Sequence, residues 1–447
     1  MYKRLLFLTL LLPSLLIAQH TIKGTFSPAE DYNFALLYKV NPTISDYVSN
    51  AEILEDGSFE FKLDSTQTTG MYRLVYAVPQ EDYNFDIIYN GKEDIELTFN
   101  SETGVEFKTS VENKLLASYT NSMSMITQSI GNYFGQESED STALKTIFKT
   151  QRETQENFEE AAKDARVLEF IKANKPYIPE EVEPVTTYIE NLKAHYFDFV
   201  DFNNPVLQSS NFLEERMLNY VFGMASESKD ELENYKENID VVFSHMKTAP
   251  KEVQRILLFD LWQQMADLGF ESVANYISET YLMDLVVGLN DRELINALNL
   301  YKNLSKGQVA PNFDVDVQEN GKLITKKLTD LKGAENYVIV FWSSTCSHCL
   351  DEVPQLQTFV KSLEENKVQV VAIGLEEAPY TWKNLTYDFP EFIHVYGEGK
   401  WDNKIGNAYG VSSTPTYFIL DSDKKIAARP LDFEALKKYF DGEEKEE

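Results

Sequence analysis

Cysteine is nearly absent from this sequence: 447 residues contain two. An exported chain stapled by disulfides carries several pairs, so a disulfide framework is excluded. Basic residues are also scarce. Against 72 Asp and Glu stand 41 Lys and Arg, a formal net charge of -31 at pH 7. A chain so acidic is repelled by phosphate, which excludes nucleic acid and an anionic membrane surface as partners and leaves neutral, basic or unfolded polypeptides. No apolar run reaches the ~20 residues that a spanning helix needs. The hydrophobic content of 43% is nonetheless enough for a core, and the length has room for about three domains.

The first residues carry an address. Lys3 and Arg4 precede an apolar stretch over residues 5–17, interrupted by Pro13, and a cleavage position follows near Ala18-Gln19. This reads as a secretory signal over residues 1–18, with no stable membrane insertion after its removal. No cysteine follows it to take a lipid anchor, and an uncleaved anchor is the alternative. Residues 19–110 read as an antiparallel β-sandwich. Short aromatic and β-branched runs at 21–26, 34–38, 59–63, 72–76, 85–89 and 95–99 are separated by turn residues such as Asp56-Gly57 and Asn90-Gly91. Alternation in a half-buried sheet accounts for the aromatics without a binding surface.

From 111 to 304 the texture is helical, with 157–171 and 253–262 the clearest segments and prolines at 176, 179, 184, 205 and 250 as punctuation. Most of the acidic excess falls here and reads as a solvated outer face. Residues 305–447 alternate strand and helix. A hairpin turns at Asn320-Gly321, a buried strand ends at Trp342, a helix runs to about residue 363, and 368–375 supplies a second strand. A parallel pair joined by a helix is a βαβ unit. A hairpin around 421–423 and a helix over 433–440 complete a mixed sheet with helices on both faces. The fold class is therefore multidomain α+β: sandwich, helical middle region and C-terminal α/β domain.

The two cysteines lie in that last domain, as Cys346-Ser347-His348-Cys349 directly after the buried strand. A strand that delivers Cys-x-x-Cys onto the first turn of a helix puts Cys346 at the positive end of the helix dipole, where a thiolate is favoured. Cys349, on the same helix face, can close a disulfide by attacking a mixed-disulfide intermediate. Ser347 and His348 tune the potential. A protonated His348 favours the thiolate and leans the pair toward oxidation.

Taken together, Ala310-Pro311-Asn312-Phe313, the run from Phe341 to Cys349, Glu352-Val353-Pro354, Tyr409-Gly410-Val411 and Thr414-Pro415-Thr416-Tyr417-Phe418-Ile419 resemble the thioredoxin-like domain of the TlpA/ResA family, exported disulfide reductases. The order of β domain, helical region and thioredoxin-like domain is similar to that of secreted thioredoxin-family proteins of Bacteroidetes. The resemblance implies dithiol exchange without a cofactor, with Cys346 as nucleophile and Cys349 as resolving thiol. It implies disulfide- or thiol-containing exported proteins as substrates and a membrane reductant of the DsbD/CcdA kind as electron source. Glu352 matches an acid that relays a proton for the resolving thiol, with an exposed helix carboxylate as the alternative. Pro415 matches a cis proline facing the pair, which turns the Thr414 backbone outward to a substrate strand. Thr345 and Trp342 join Thr414 as substrate contacts, a place in the core being the other reading of Trp342.

Two departures stand out. Thr345 replaces the family's usual Trp, and Val340 stands where cytoplasmic thioredoxins bury an aspartate. Three rival readings remain. Zinc held by Cys346, Cys349 and His348 or His394 lacks a fourth ligand. A peroxiredoxin-like peroxidase has its hydroxyl in Ser343, but Ile339 replaces its proline and Arg429 is the sole arginine of the domain. A binding protein with a passive disulfide draws little stability from so short a loop.

Overall fold

The computed structural model of the chain describes residues 20–64, 66–225 and 230–442. The expected secretory signal, residues 1–18, lies outside the described residues. The chain divides into two compact units, one ending at Gln264 and the other beginning at Met265.

In the first unit, β1 (His20–Ser27), β2 (Phe34–Val40), β3 (Ser45–Glu52), β4 (Ser58–Leu63), β5 (Gly70–Val75), β6 (Asn84–Tyr89), β7 (Ile95–Asn100) and β8 (Gly104–Phe107) form two four-stranded sheets. Their orders are β4-β1-β7-β8 and β3-β2-β5-β6. Period-2 burial along β1 puts Ile22, Gly24 and Phe26 inside. There Ile22 and Phe26 meet Leu37, Leu74 and Ile87 of the other sheet in one core. Phe26 stacks on Tyr32 and Phe59 with ring centroids 4.6 and 4.7 Å apart, so these aromatics are packing. β1 and β7 run parallel, and the remaining pairings of the two sheets are antiparallel.

Helices follow: α1 (Val111–Gly135), α2 (Ser141–Ala161), α3 (Val167–Ala173), α4 (Val185–Ala194), α5 (Phe212–Val221), α6 (Glu231–Met246) and α7 (Lys251–Asp267). The segment 157–171, expected as helix, is broken between Ala161 and Val167. The break is stabilised from outside, because the buried Glu112 carboxylate accepts the Val167 N–H at 3.0 Å and satisfies a donor that a new helix start leaves open.

The second unit takes in the last residues of α7 and continues with α8 (Glu271–Ile277), α9 (Met283–Leu289) and α10 (Arg292–Asn303). These helices belong with the C-terminal domain, for Leu300 and Leu304 pack against its core and Asn275 donates to Ser305 Oγ at 2.9 Å. β9 (Asp314–Glu319) and β10 (Lys322–Lys327) pair antiparallel across Asn320 and Gly321, whose positive φ values of 52° and 75° suit a tight hairpin. β11 (Asn336–Trp342), β12 (Val368–Glu376), β13 (Ile393–Glu398), β14 (Thr416–Leu420) and β15 (Ile426–Ala428) form the main sheet, in the order β13-β12-β11-β14-β15. The first three are parallel and the last two antiparallel. α11 (Ser347–Ser362), α12 (Pro379–Leu385) and α14 (Phe433–Asp441) cover one face, while α10 and α13 (Lys404–Ala408) cover the other.

Candidate active site

Every residue of β11 after Asn336 is buried, which is why the strand reads as one apolar run rather than an alternation. Tyr337, Ile339 and Phe341 enter the core of Tyr409 and Phe418, and Val338, Val340 and Trp342 enter that of Cys349, Val353 and Leu356. This double anchoring fixes where the chain leaves the sheet. Trp342 lies opposite Gly374 of the parallel β12, so both strands end at the same edge, where crossover sheets place their sites.

The loop from Ser343 to Thr345 turns at that edge. Ser343 C=O accepts the Cys346 N–H at 3.1 Å, and the Ser343 hydroxyl lies 3.0 Å from that of Thr345. Cys346 then caps α11, its Sγ accepting the Cys349 N–H at 3.2 Å. From the other side the loop carrying the cis Thr414–Pro415 bond brings Thr414 C=O within 3.2 Å of the same Sγ, as acceptor for the thiol proton. The two thiols are sharply unequal. Cys346 is half-exposed and Cys349 is 0% exposed.

Their ionisation follows that difference. Burial opposes a charge on Cys346, but hydrogen bonds from the Cys349 side chain and N–H, from the Thr414 side chain and from the His348 N–H outweigh it and hold its pKa below the ordinary thiol value. Burial, reinforced by the hydrogen bond to Cys346, pushes Cys349 up to about 12. One thiol is thus poised to ionise and the other to keep its proton.

Thr345, Ser347 and His348 are exposed around Cys346, and Thr414 and Pro415 are half-buried beside it. The structure brings these residues together. Trp342 is a correction: it is 1% exposed and meets Phe389 edge-on with centroids 6.1 Å apart, so it presents no surface to a substrate and belongs to the core. Glu352 is half-buried, and its Oε2 accepts the Tyr417 hydroxyl at 2.9 Å and the Phe433 N–H at 3.2 Å. His394 sits on β13 with Nε2 2.8 Å from Phe389 O. Among the described residues no group of three or more His, Cys, Asp or Glu is placed to hold a metal ion. Arg429 stacks over Phe418, whose ring enters the core on the opposite face of the sheet from Cys349. It is no part of the hydrogen-bonded surroundings of Cys346, and a peroxidatic thiol draws on a cation at that place.

Sequence reading missed Glu376. This acid ends the otherwise uncharged β12, is 4% exposed, and accepts the Ser344 N–H at 2.5 Å, two residues before the nucleophile. A lone charge at the C-terminal end of a buried parallel strand was the available signal. Glu376→Ala strands the Ser344 N–H, and we expect a loss of about 1–3 kcal/mol in urea unfolding, most of it restored in Glu376→Gln, which keeps an acceptor oxygen. Equal losses in both variants would assign the effect to charge rather than to the hydrogen bond.

Comparison with known proteins places this geometry. A family model described as thioredoxin-like matches residues 334–426. Thiol-disulfide oxidoreductase ResA of Bacillus thuringiensis (strain Al Hakam) is 31% identical over 27% of this chain and 66% of its own length. The chain therefore spans just under two thirds of that relative. ResA of Bacillus cereus (strain ZK) is 31% identical over 28% of this chain and 68% of its own length. The solved thioredoxin domain of a thiol-disulfide oxidoreductase from Bacteroides vulgatus is 22% identical, covering 31% of this chain and 97% of that one, with a TM-score of 0.27. Through its C-terminal domain, the chain belongs to the thioredoxin-like ResA family of thiol-disulfide oxidoreductases.

Proposed function

We propose that the chain is an exported thiol-disulfide oxidoreductase that reduces disulfides in protein substrates through Cys346 and Cys349. The observation that carries this reading is the asymmetry of the pair: an accessible, readily ionised Cys346 capping α11 beside the Pro415 loop, and a buried, protonated Cys349 behind it. The Cys346 thiolate attacks one sulfur of a substrate disulfide, whose partner sulfur leaves as a thiolate and takes up a proton. Cys349 then gives up its proton and attacks Cys346 Sγ, releasing the second substrate thiol. Two electrons have passed to the substrate and the enzyme holds a disulfide. A membrane reductant of the DsbD/CcdA kind would restore the dithiol.

The Thr414 backbone beside Cys346 offers an extended substrate segment a place to pair as an added strand, and the exposed Thr345, Ser347 and His348 would border it. The basic and apolar stretch over residues 1–18 supports export. Among the described residues no helix is long and apolar enough to cross a membrane.

Insulin reduction by the full chain tests the activity. The couple should lie near the thioredoxin value of about -270 mV, whereas a value near about -120 mV would make the protein an oxidant. The pH dependence of alkylation tests the asymmetry. Iodoacetamide should modify Cys346 with a midpoint below the free-cysteine value of about 8.5, the rate rising with pH as the thiolate forms, while Cys349 stays unmodified. A midpoint at or above that value would remove the basis for a nucleophilic Cys346.

A further inference from the structure

The resolving step poses a problem that the cysteine pair alone does not solve. Cys349 is buried, and its pKa is pushed up to about 12, so it needs a proton acceptor at the moment it attacks Cys346 Sγ. Glu352, three residues on along α11, lies on the same helix face. A carboxylate on a helix surface would swing freely through its rotamers. This one does not. Tyr417, paired with Val340 in the β14–β11 register and two residues after Pro415, projects into the core that also contains Cys349. Its ring is 1% exposed, yet its hydroxyl reaches Glu352 Oε2 at 2.9 Å, and the N–H of Phe433, the first residue of α14, reaches the same oxygen at 3.2 Å. Two donors from separate segments converge on Oε2 and leave Oε1 to take a proton. Burial first, then the charges of Glu352 and Cys349, drive the phenol pKa far above its ordinary value. The hydroxyl therefore remains a donor at any working pH.

We propose that Tyr417 is a positioning residue for the resolving half-reaction, holding the Glu352 carboxylate where it accepts the Cys349 proton. This rests on the dithiol-exchange reading above. As the Cys346–Cys349 bond forms, the bond between Cys346 and the substrate sulfur breaks. The Cys349 proton passes to Glu352, and the electron pair leaves with the substrate thiolate. Tyr417 neither gains nor loses a proton in this sequence.

The experiment uses the reduced full-length chain and Ellman's reagent. Attack by Cys346 releases one thionitrobenzoate, and attack by Cys349 on the resulting mixed disulfide releases a second. Tyr417→Phe keeps the ring and removes the hydroxyl. Its first release should match wild type, and its second should slow about 10-fold, on the scale of one hydrogen bond to a charged group. Glu352→Gln should slow the second phase at least as much, and the double variant no more than Glu352→Gln alone, since the hydroxyl acts through the carboxylate. An unchanged second phase in Tyr417→Phe, equal slowing of both phases, or additive effects in the double variant would overturn the proposal. Glu352→Gln keeps it falsifiable if Tyr417→Phe folds poorly, because an unaltered second phase there overturns it as well. A wild-type chain that fails to release even the first thionitrobenzoate would instead sink the dithiol-exchange reading itself.

Discussion

Cys346→Ser is expected to bring insulin reduction down to the uncatalysed background with the fold intact. Serine is close to isosteric, and its hydroxyl can still accept the Cys349 N–H and donate to Thr414 C=O, the two contacts that Cys346 Sγ makes at 3.2 Å. What disappears is the sulfur that must enter the mixed disulfide. No neighbour can replace it, because the only other cysteine is Cys349, which is fully buried and holds its proton. Cys349→Ser should fail differently. Attack by Cys346 proceeds, the mixed disulfide has no internal thiol to resolve it, and substrate proteins accumulate in covalent complexes visible on non-reducing gels. Persistent turnover in Cys346→Ser, or absence of adducts in Cys349→Ser, would place the activity elsewhere in the molecule.

Trp342→Ala should have the largest effect on stability, about 3–5 kcal/mol in urea or guanidinium unfolding of the second unit, the range for emptying a large aromatic site in a packed core. The ring is 1% exposed and packs edge-on to Phe389 among Val340, Cys349 and Val353. Its Nε1 is buried without a hydrogen-bond partner among the described residues, so the loss is one of packing and cavity formation. Trp342→Phe should therefore retain much of the stability, having given up no hydrogen bond. A weakened substrate KM with unchanged unfolding would return Trp342 to the role of substrate contact.

Much of the second unit is legible in the sequence, because its decisive residues act locally. Asn320-Gly321 adopts the two positive φ values that its hairpin requires, the run 338–342 is apolar because both faces of β11 are covered, and Cys346 caps the helix that follows it. Strands with little alternation escape notice. β3 is an edge strand with mostly exposed residues and β8 is four residues long. The parallel pairing of β1 with β7 joins segments about seventy residues apart, which local patterns do not encode. The same limit hid three features of the structure. Glu112 accepts the first N–H of α3 from 55 residues away. Glu376 and Tyr417 meet their partners across 32 and 65 residues. Glu352 could be read as exposed or engaged until β14 and α14 were in place around it.

The three parallel strands of the main sheet carry one further implication. All of them finish at the edge where Cys346 emerges, and the segments that continue from β12 and β13 hold out Tyr380 and Trp401, 81% and 45% exposed. Redox chemistry is mounted on β11 and α11, whereas Tyr380 stands on the short helix α12 and Trp401 on a single helical turn after β13. A substitution at Tyr380 or Trp401 thus changes the outer surface and leaves the strand and helix that carry the electron pair intact.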